Sequence, residues 1–305
     1  MDLTAMGIVL ALTALVFVGL IGVEWVSTGR RSPRNWKLKS TLIKTSTLEE
    51  GDPMNQTTAD PTLTGGFDAK RTVLTLIALF TGSAATIFML LLASSNAMLI
   101  QGLTEMPKFI NSMHSFAKLY VPLVWLPSLA VLIGVAWYGQ QRFPALANRI
   151  WAGLGAGAVA TLALDFFRQM GVMHGWLATD TPIMFGKMIL GPQAGVMSVL
   201  FVGVIYHFLN GASFGVFYTL VWGKARWWWG LVWALVVEVG MMTTPPMAPL
   251  FGPFGSKTGG PAFFLITLAA HIGFGIVLGL LAQHWVKHKG SIFALFTGRE
   301  QLVSP

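Results

Sequence analysis

The sequence predicts an all-α fold: a polytopic integral membrane helical bundle of about seven transmembrane helices, N-terminus outside and C-terminus cytoplasmic. Three observations predict it. Of 305 residues, 54% are hydrophobic and only 10% are charged, whereas a soluble domain carries about a quarter charged residues. The apolar residues fall in seven runs near the ~20 residues that a bilayer core requires. The basic residues gather on alternate loops, as the positive-inside rule expects.

The first run, residues 5–26, begins after an acidic MDLTAM and ends at RRSPRNWKLK. A cleaved signal peptide has the reverse charge order, a shorter apolar core and a small-residue cleavage site. Residues 1–39 therefore read as a retained helix with its basic cytoplasmic flank. Residues 40–70 include TLEEGDPMNQTTADPTLTGG, which is too polar and too often broken by Pro and Gly to bury a core, and they read as a flexible cytoplasmic linker. Residues 71–290 hold six more runs, at 73–99, 119–138, 150–167, 194–221, 227–242 and 262–285, a six-helix membrane bundle. Residues 291–305 are expected to form a cytoplasmic tail.

Orientation follows from counting. Of 20 Lys and Arg, fifteen lie on the predicted inner side and five (Lys108, Lys118, Arg168, Lys187, Lys257) on the outer. Tryptophan prefers the interface, and Trp25, Trp137, Trp151, Trp222, Trp227, Trp228, Trp229 and Trp285 all fall at inner ends. The net charge of +8 thus reflects membrane topology and not nucleic-acid binding, which would gather the charge on one soluble face. The expected location is the bacterial inner membrane. The outer connections 169–193 and 243–261 are Gly/Pro-punctuated yet apolar, suited to lying on the membrane, folding back over the helices or meeting a partner.

The chain has no cysteine, which excludes disulfides, thiolate metal sites and iron–sulfur clusters. It has no Walker loop and no His-Glu-x-x-His. An independent catalytic centre is not expected.

Three constellations remain. HFLNGASFGVFY sets His207, Gly211 and Gly215 four residues apart, and HIGFGIVLGLL repeats the spacing with His271, Gly275 and Gly279. Residues i, i+4 and i+8 share a helix stripe, and at 1.5 Å per residue the two histidines lie at depths of roughly 20 and 14 Å. Such a pair suits the axial ligands of a b-type haem, with glycines admitting the flat ring. It equally suits close helix packing with histidines bonded to neighbouring helices, and Gly153 and Gly157 in AGLGAGAVA show the spacing without histidine. The second constellation is the intramembrane set Asp165, Arg168 and Glu238. It could pair internally, relay protons, or bind a cation or a quinone headgroup. The third is Met170, Met173 and His174, within an outer surface holding nine of the 15 methionines. Thioether and imidazole suit copper(I), although methionine also fills irregular apolar surfaces.

Three functions are compatible with these residues. One is a non-catalytic subunit of a larger membrane complex, redox or respiratory, meeting lipid and other subunits through its glycine-rich faces and apolar outer loops. The others are a small-solute or proton-coupled transporter or channel, and an extracytoplasmic copper-handling protein.

Overall fold

A computed structural model describes residues 68–103, 105–177, 180–257 and 260–302. The 5–26 run and most of the linker lie outside these. Helix α1 runs from Ala69 to Ile100 and α2 from Met106 to Arg142. They are followed by α3 (Pro144–Met173), α4 (Thr181–Leu190), α5 (Val196–Trp222), α6 (Trp228–Thr243), α7 (Met247–Phe251), α8 (Gly260–Trp285) and α9 (Ile292–Thr297). Five of these helices are long and apolar enough to cross a membrane, and six if α6 and the 247–255 segment, bent by 59°, count as one broken span. The chain is an all-α polytopic membrane protein.

Local chemistry sets the boundaries. The Asp68 side chain caps α1 by accepting from the Arg71 amide at 3.2 Å. Proline at the first or second helical position starts α3 and α4. Gly191 and Gly223, at φ 97° and 62°, end α4 and α5 in a conformation that side chains disfavour. Pro122, lacking an amide proton, lies in a π-helical turn at Val121–Trp125 within α2.

Two elements depart from the expected organisation. Helix α2 has 37 residues, about 55 Å at the standard rise, and therefore outruns a hydrocarbon core of about 30 Å. Its first half, which lies before the expected 119–138 run and carries Lys108 and Lys118 of the expected outer set, buries Phe109, Ile110, Met113 and Ala117 along one face. The connection 169–193, expected on the outer side, likewise contains a helix, α4, laid against α5 and the start of α2. His114 Nδ1 lies 3.1 Å from the Met188 carbonyl and ties α2 to α4. Phe109, Met113, Trp125, Phe185, Met188 and Tyr206 form the core there.

Helix α3 packs against both α5 and α8, and α8 packs in turn on α6. The glycine stripes make these contacts. A Cβ at Gly157 would strike the Gly211 carbonyl, and one at Gly215 the Gly153 carbonyl. On the other side, Gly275 and Gly279 meet the backbones of Gly230 and Trp227. Without a hydrophobic driving force between helices in lipid, such close van der Waals approach is what holds them.

One end of the bundle gathers the starts of α1, α3 and α6 with the ends of α2, α5 and α8. Asn148 Nδ2 donates to the Trp285 carbonyl, and the Trp227 amide donates to Gln283 Oε1. The tail folds onto this end. Strand β1 (His288–Lys289) pairs antiparallel with β2 (Gln301–Leu302) around α9, and the Asp68 amide donates to the Phe296 carbonyl. Arg149, expected as a loop charge, is fully buried beneath the tail. It donates to the carbonyls of Leu220 at 3.1 Å and Gly290 at 2.5 Å, placing a cation at the C-terminal end of the α5 dipole.

Candidate functional site

The intramembrane carboxylates and histidines sort into two separate sites, each with its own imidazole. The first lies where α3, α4 and α5 meet. Asp165 and Arg168 share a face of α3 at i, i+3, and Arg168 Nε donates to Asp165 Oδ1 at 2.7 Å. The same oxygen stands 2.9 Å from His207 Nε2 on α5. Arg168 Nη1 also donates to Asp180, the N-cap residue of α4. A carboxylate beside a guanidinium is held ionised and can only accept, so His207 donates through Nε2. Arg168 against two aspartates leaves one negative charge, balanced when His207 is protonated. Phe185 of α4 lies 6.0 Å from the imidazole, ring centre to ring centre.

The second site joins α6 to α8. Glu238 is 1% exposed and His271 7%. Thr267, one turn before His271, donates its hydroxyl to Glu238 Oε1 at 2.8 Å. His271 Nδ1 lies 2.7 Å from Glu238 Oε2 and 2.9 Å from the Thr267 carbonyl. Only the carbonyl has hydrogen-bond alignment; Oε2 is at ion-pair distance without a directed bond. A single Nδ1 proton is thus contested by two acceptors. Among the described residues, no Lys or Arg pairs with Glu238.

His207 and His271, although of similar depth, are not brought together. Among the described residues no hydrogen bond or ring contact joins them, and α5 and α8 each pack on α3. Gly211 and Gly215 face α3 backbone, and Gly275 and Gly279 face α6 backbone, so these four glycines serve close helix packing within the chain. The outer connection 169–193 is also partly consumed internally, as α4.

Met170 and Met173 lie at the last turn of α3, 36% and 75% exposed. His174 Nδ1, 2.8 Å from the Met170 carbonyl, stands over Trp176 with ring centres 4.8 Å apart. Among the described residues no group of three or more His, Asp or Glu is placed to hold a metal ion.

Sequence reasoning missed Asp180 and Thr267. The Asp-Thr-Pro at 180–182 is a helix-start signal that would have revealed α4 and its capping aspartate. Thr267 had one sign, its position four residues before His271. Comparison of the chain with protein-family models, with curated proteins and with solved structures found no match in any of the three.

Proposed function

We propose that this is a proton-coupled membrane transport protein in which Glu238 and His271 take up and release the proton. One observation carries the reading: a carboxylate at 1% exposure in an apolar helix whose ionic partner is an imidazole. Burying an ionised group in a membrane interior is costly, and a structural ion pair avoids the cost best with a permanent cation such as arginine. Histidine is the side chain whose ordinary pKa lets it exchange protons near neutrality. Glu238 and His271 can therefore pass between a neutral pair and an ion pair by moving one proton between Oε2 and Nδ1, which stand 2.7 Å apart, once the imidazole turns Nδ1 from the Thr267 carbonyl toward Oε2.

The orientation we propose puts the N-terminus outside and the tail end in the cytoplasm of a bacterial inner membrane, on the fifteen-to-five basic asymmetry. The Asp165 cluster and α4 then face outward, with Glu238 and His271 in the same half of the bilayer.

The test is reconstitution of the full chain in liposomes holding a pH-sensitive dye, with a potassium diffusion potential imposed. Proton flux should exceed that of protein-free vesicles, and Glu238→Gln should return it to that level while preserving the melting temperature. Equal flux in the wild type and Glu238→Gln would remove the proposal. Infrared spectra supply a second readout. A protonated-carboxyl band that titrates in the wild type should vanish in the variant.

A second reading, a non-catalytic subunit of a larger membrane assembly, is favoured by α2. Its most apolar window is 28% buried within the chain, against 39–56% for the other four spans, with Leu119, Leu123 and Trp137 outward. Polypeptides that co-purify in stoichiometric amount after mild solubilisation would favour it over transport.

A further inference from the structure

The tail end of the bundle holds a cleft of about 210 Å³ lined by Arg71, Phe143, His288, Glu300 and Leu302, among others. Arg71 belongs to the first turn of α1, Phe143 to the turn between α2 and α3, and the rest to the tail hairpin. The cleft is therefore at the level of the helix ends, with Tyr138 against Phe143, where headgroups meet a bilayer.

Its polar groups are incompletely used. Glu300 places both oxygens on Arg71 Nη1, at 2.9 and 3.1 Å. This leaves Arg71 Nε buried without a hydrogen-bond partner, and His288 Nδ1 on the facing hairpin is in the same condition. Buried polar atoms without partners are rare because each costs about 1–3 kcal/mol. The Arg71 guanidinium lies over the Phe143 ring at 5.4 Å, and the fully buried Arg149 is bonded to Gly290, two residues beyond His288. Among the described residues, this end of the bundle carries nine basic residues (Lys70, Arg71, Arg142, Arg149, Lys224, Arg226, Lys287, Lys289, Arg299) against two acids, Asp68 and Glu300. The Arg71–Glu300 pair cancels, so the local field is positive.

We propose that this cleft binds the phosphate of an anionic lipid headgroup, held between Arg71 on α1 and His288 on the tail hairpin. Tetrahedral phosphate oxygens can accept from two donors on different elements, and Arg is the residue suited to phosphate. Basic pockets at the ends of membrane helices take anionic headgroups for this reason. Phe143 and the 71%-exposed Leu302 form apolar walls for the glycerol backbone. Both free nitrogens are covered as the chain stands, so the incoming phosphate draws the partly exposed His288 ring round about its Cβ–Cγ bond. The tail, joined to α1 by Arg71–Glu300 alone among ion pairs of the described residues, is then clamped through the lipid.

The experiment is thermal denaturation of the full chain in detergent with short-chain phosphatidylglycerol, short-chain phosphatidylcholine or inorganic phosphate added. Phosphatidylglycerol should raise the melting temperature where phosphatidylcholine does not, and Arg71→Gln and His288→Phe should each abolish the shift. Glu300→Gln removes a competing acceptor and frees Nη1, so it should enlarge the shift even though it breaks the same salt bridge as Arg71→Gln. A merely structural bridge would make both variants respond alike, and that outcome would overturn the site. Equal shifts with both lipids would also overturn it. An equal shift with inorganic phosphate would overturn the lipid assignment in favour of free phosphate. None of these readouts depends on proton flux.

Discussion

Two histidine–carboxylate contacts sit in one bundle, and their surroundings give them opposite characters. Asp165 has Arg168 at 2.7 Å, and Arg168 has Asp180 as well, so a permanent cation holds that site ionised whatever His207 does. Glu238 has a hydroxyl and an imidazole, both neutral at some protonation state. The lesson is that a buried acid's freedom to change charge depends less on burial than on whether a fixed cation stands beside it. The Asp165 side chain is 23% exposed, and its network ties α3 to α4 and α5; Glu238 is nearly sealed between α6 and α8.

The sharpest way to break this comparison is to remove one partner at each site. His271→Ala leaves Glu238 buried without its imidazole and should cost about 3–5 kcal/mol, read as a fall in melting temperature. His207→Ala leaves Asp165 its arginine and should cost about 1–3 kcal/mol, the value of one charge-assisted hydrogen bond. Equal losses would show that the two sites do not differ as described.

The next largest effect concerns the helix contacts that carry both sites. Gly157→Leu forces α3 from α5 at the Gly211 carbonyl and should cost about 1–3 kcal/mol or more. It should also weaken the Asp165–His207 contact one helical stretch away. Gly240→Ala, at an exposed α6 position with nothing within 4 Å of the added methyl, should be neutral or stabilise by up to about 1 kcal/mol through helix propensity. Melting curves of the two variants side by side make the check.

The smallest effect lies in the tail. Burial, then the charge of Arg149, holds His288 below the ordinary histidine range. The unfolded hairpin therefore binds the proton more readily than the folded one, and its stability is lost as pH falls through the usual histidine pKa of about 6.5. Lower amide-exchange protection factors of residues 288–302, corrected for the pH-dependent intrinsic rate, on acidification from pH 7.5 to about 5.5 would register it, and His288→Phe should flatten the response.

Much of this arrangement was legible in the chain itself, and particular residues show where legibility ended. The glycine spacing at Gly153/Gly157, Gly211/Gly215 and Gly275/Gly279 announced close helix contacts, because only small residues at that period admit a neighbouring backbone. Which stripe met which was not announced: Gly211 and Gly215 face Gly157 and Gly153, while Gly275 and Gly279 turn to α6. Asp165, Arg168 and Glu238 stood out as costly groups in apolar runs. Thr267 and Asp180 did not, since a threonine or a capping aspartate costs little anywhere and gains meaning only from its neighbour.

The sequence by itself determined the solvent and the all-α membrane class. Hydrocarbon admits only apolar helices with internally satisfied backbones, and that constraint is local. The tertiary structure alone decided that His207 meets Asp165 and His271 meets Glu238, that parts of two expected loops become α4 and the long start of α2, and that the last residues fold back over Arg149. Each of these is a choice among partners distant in the chain. Such choices are made by packing whole helices against one another, which no run of twenty residues records.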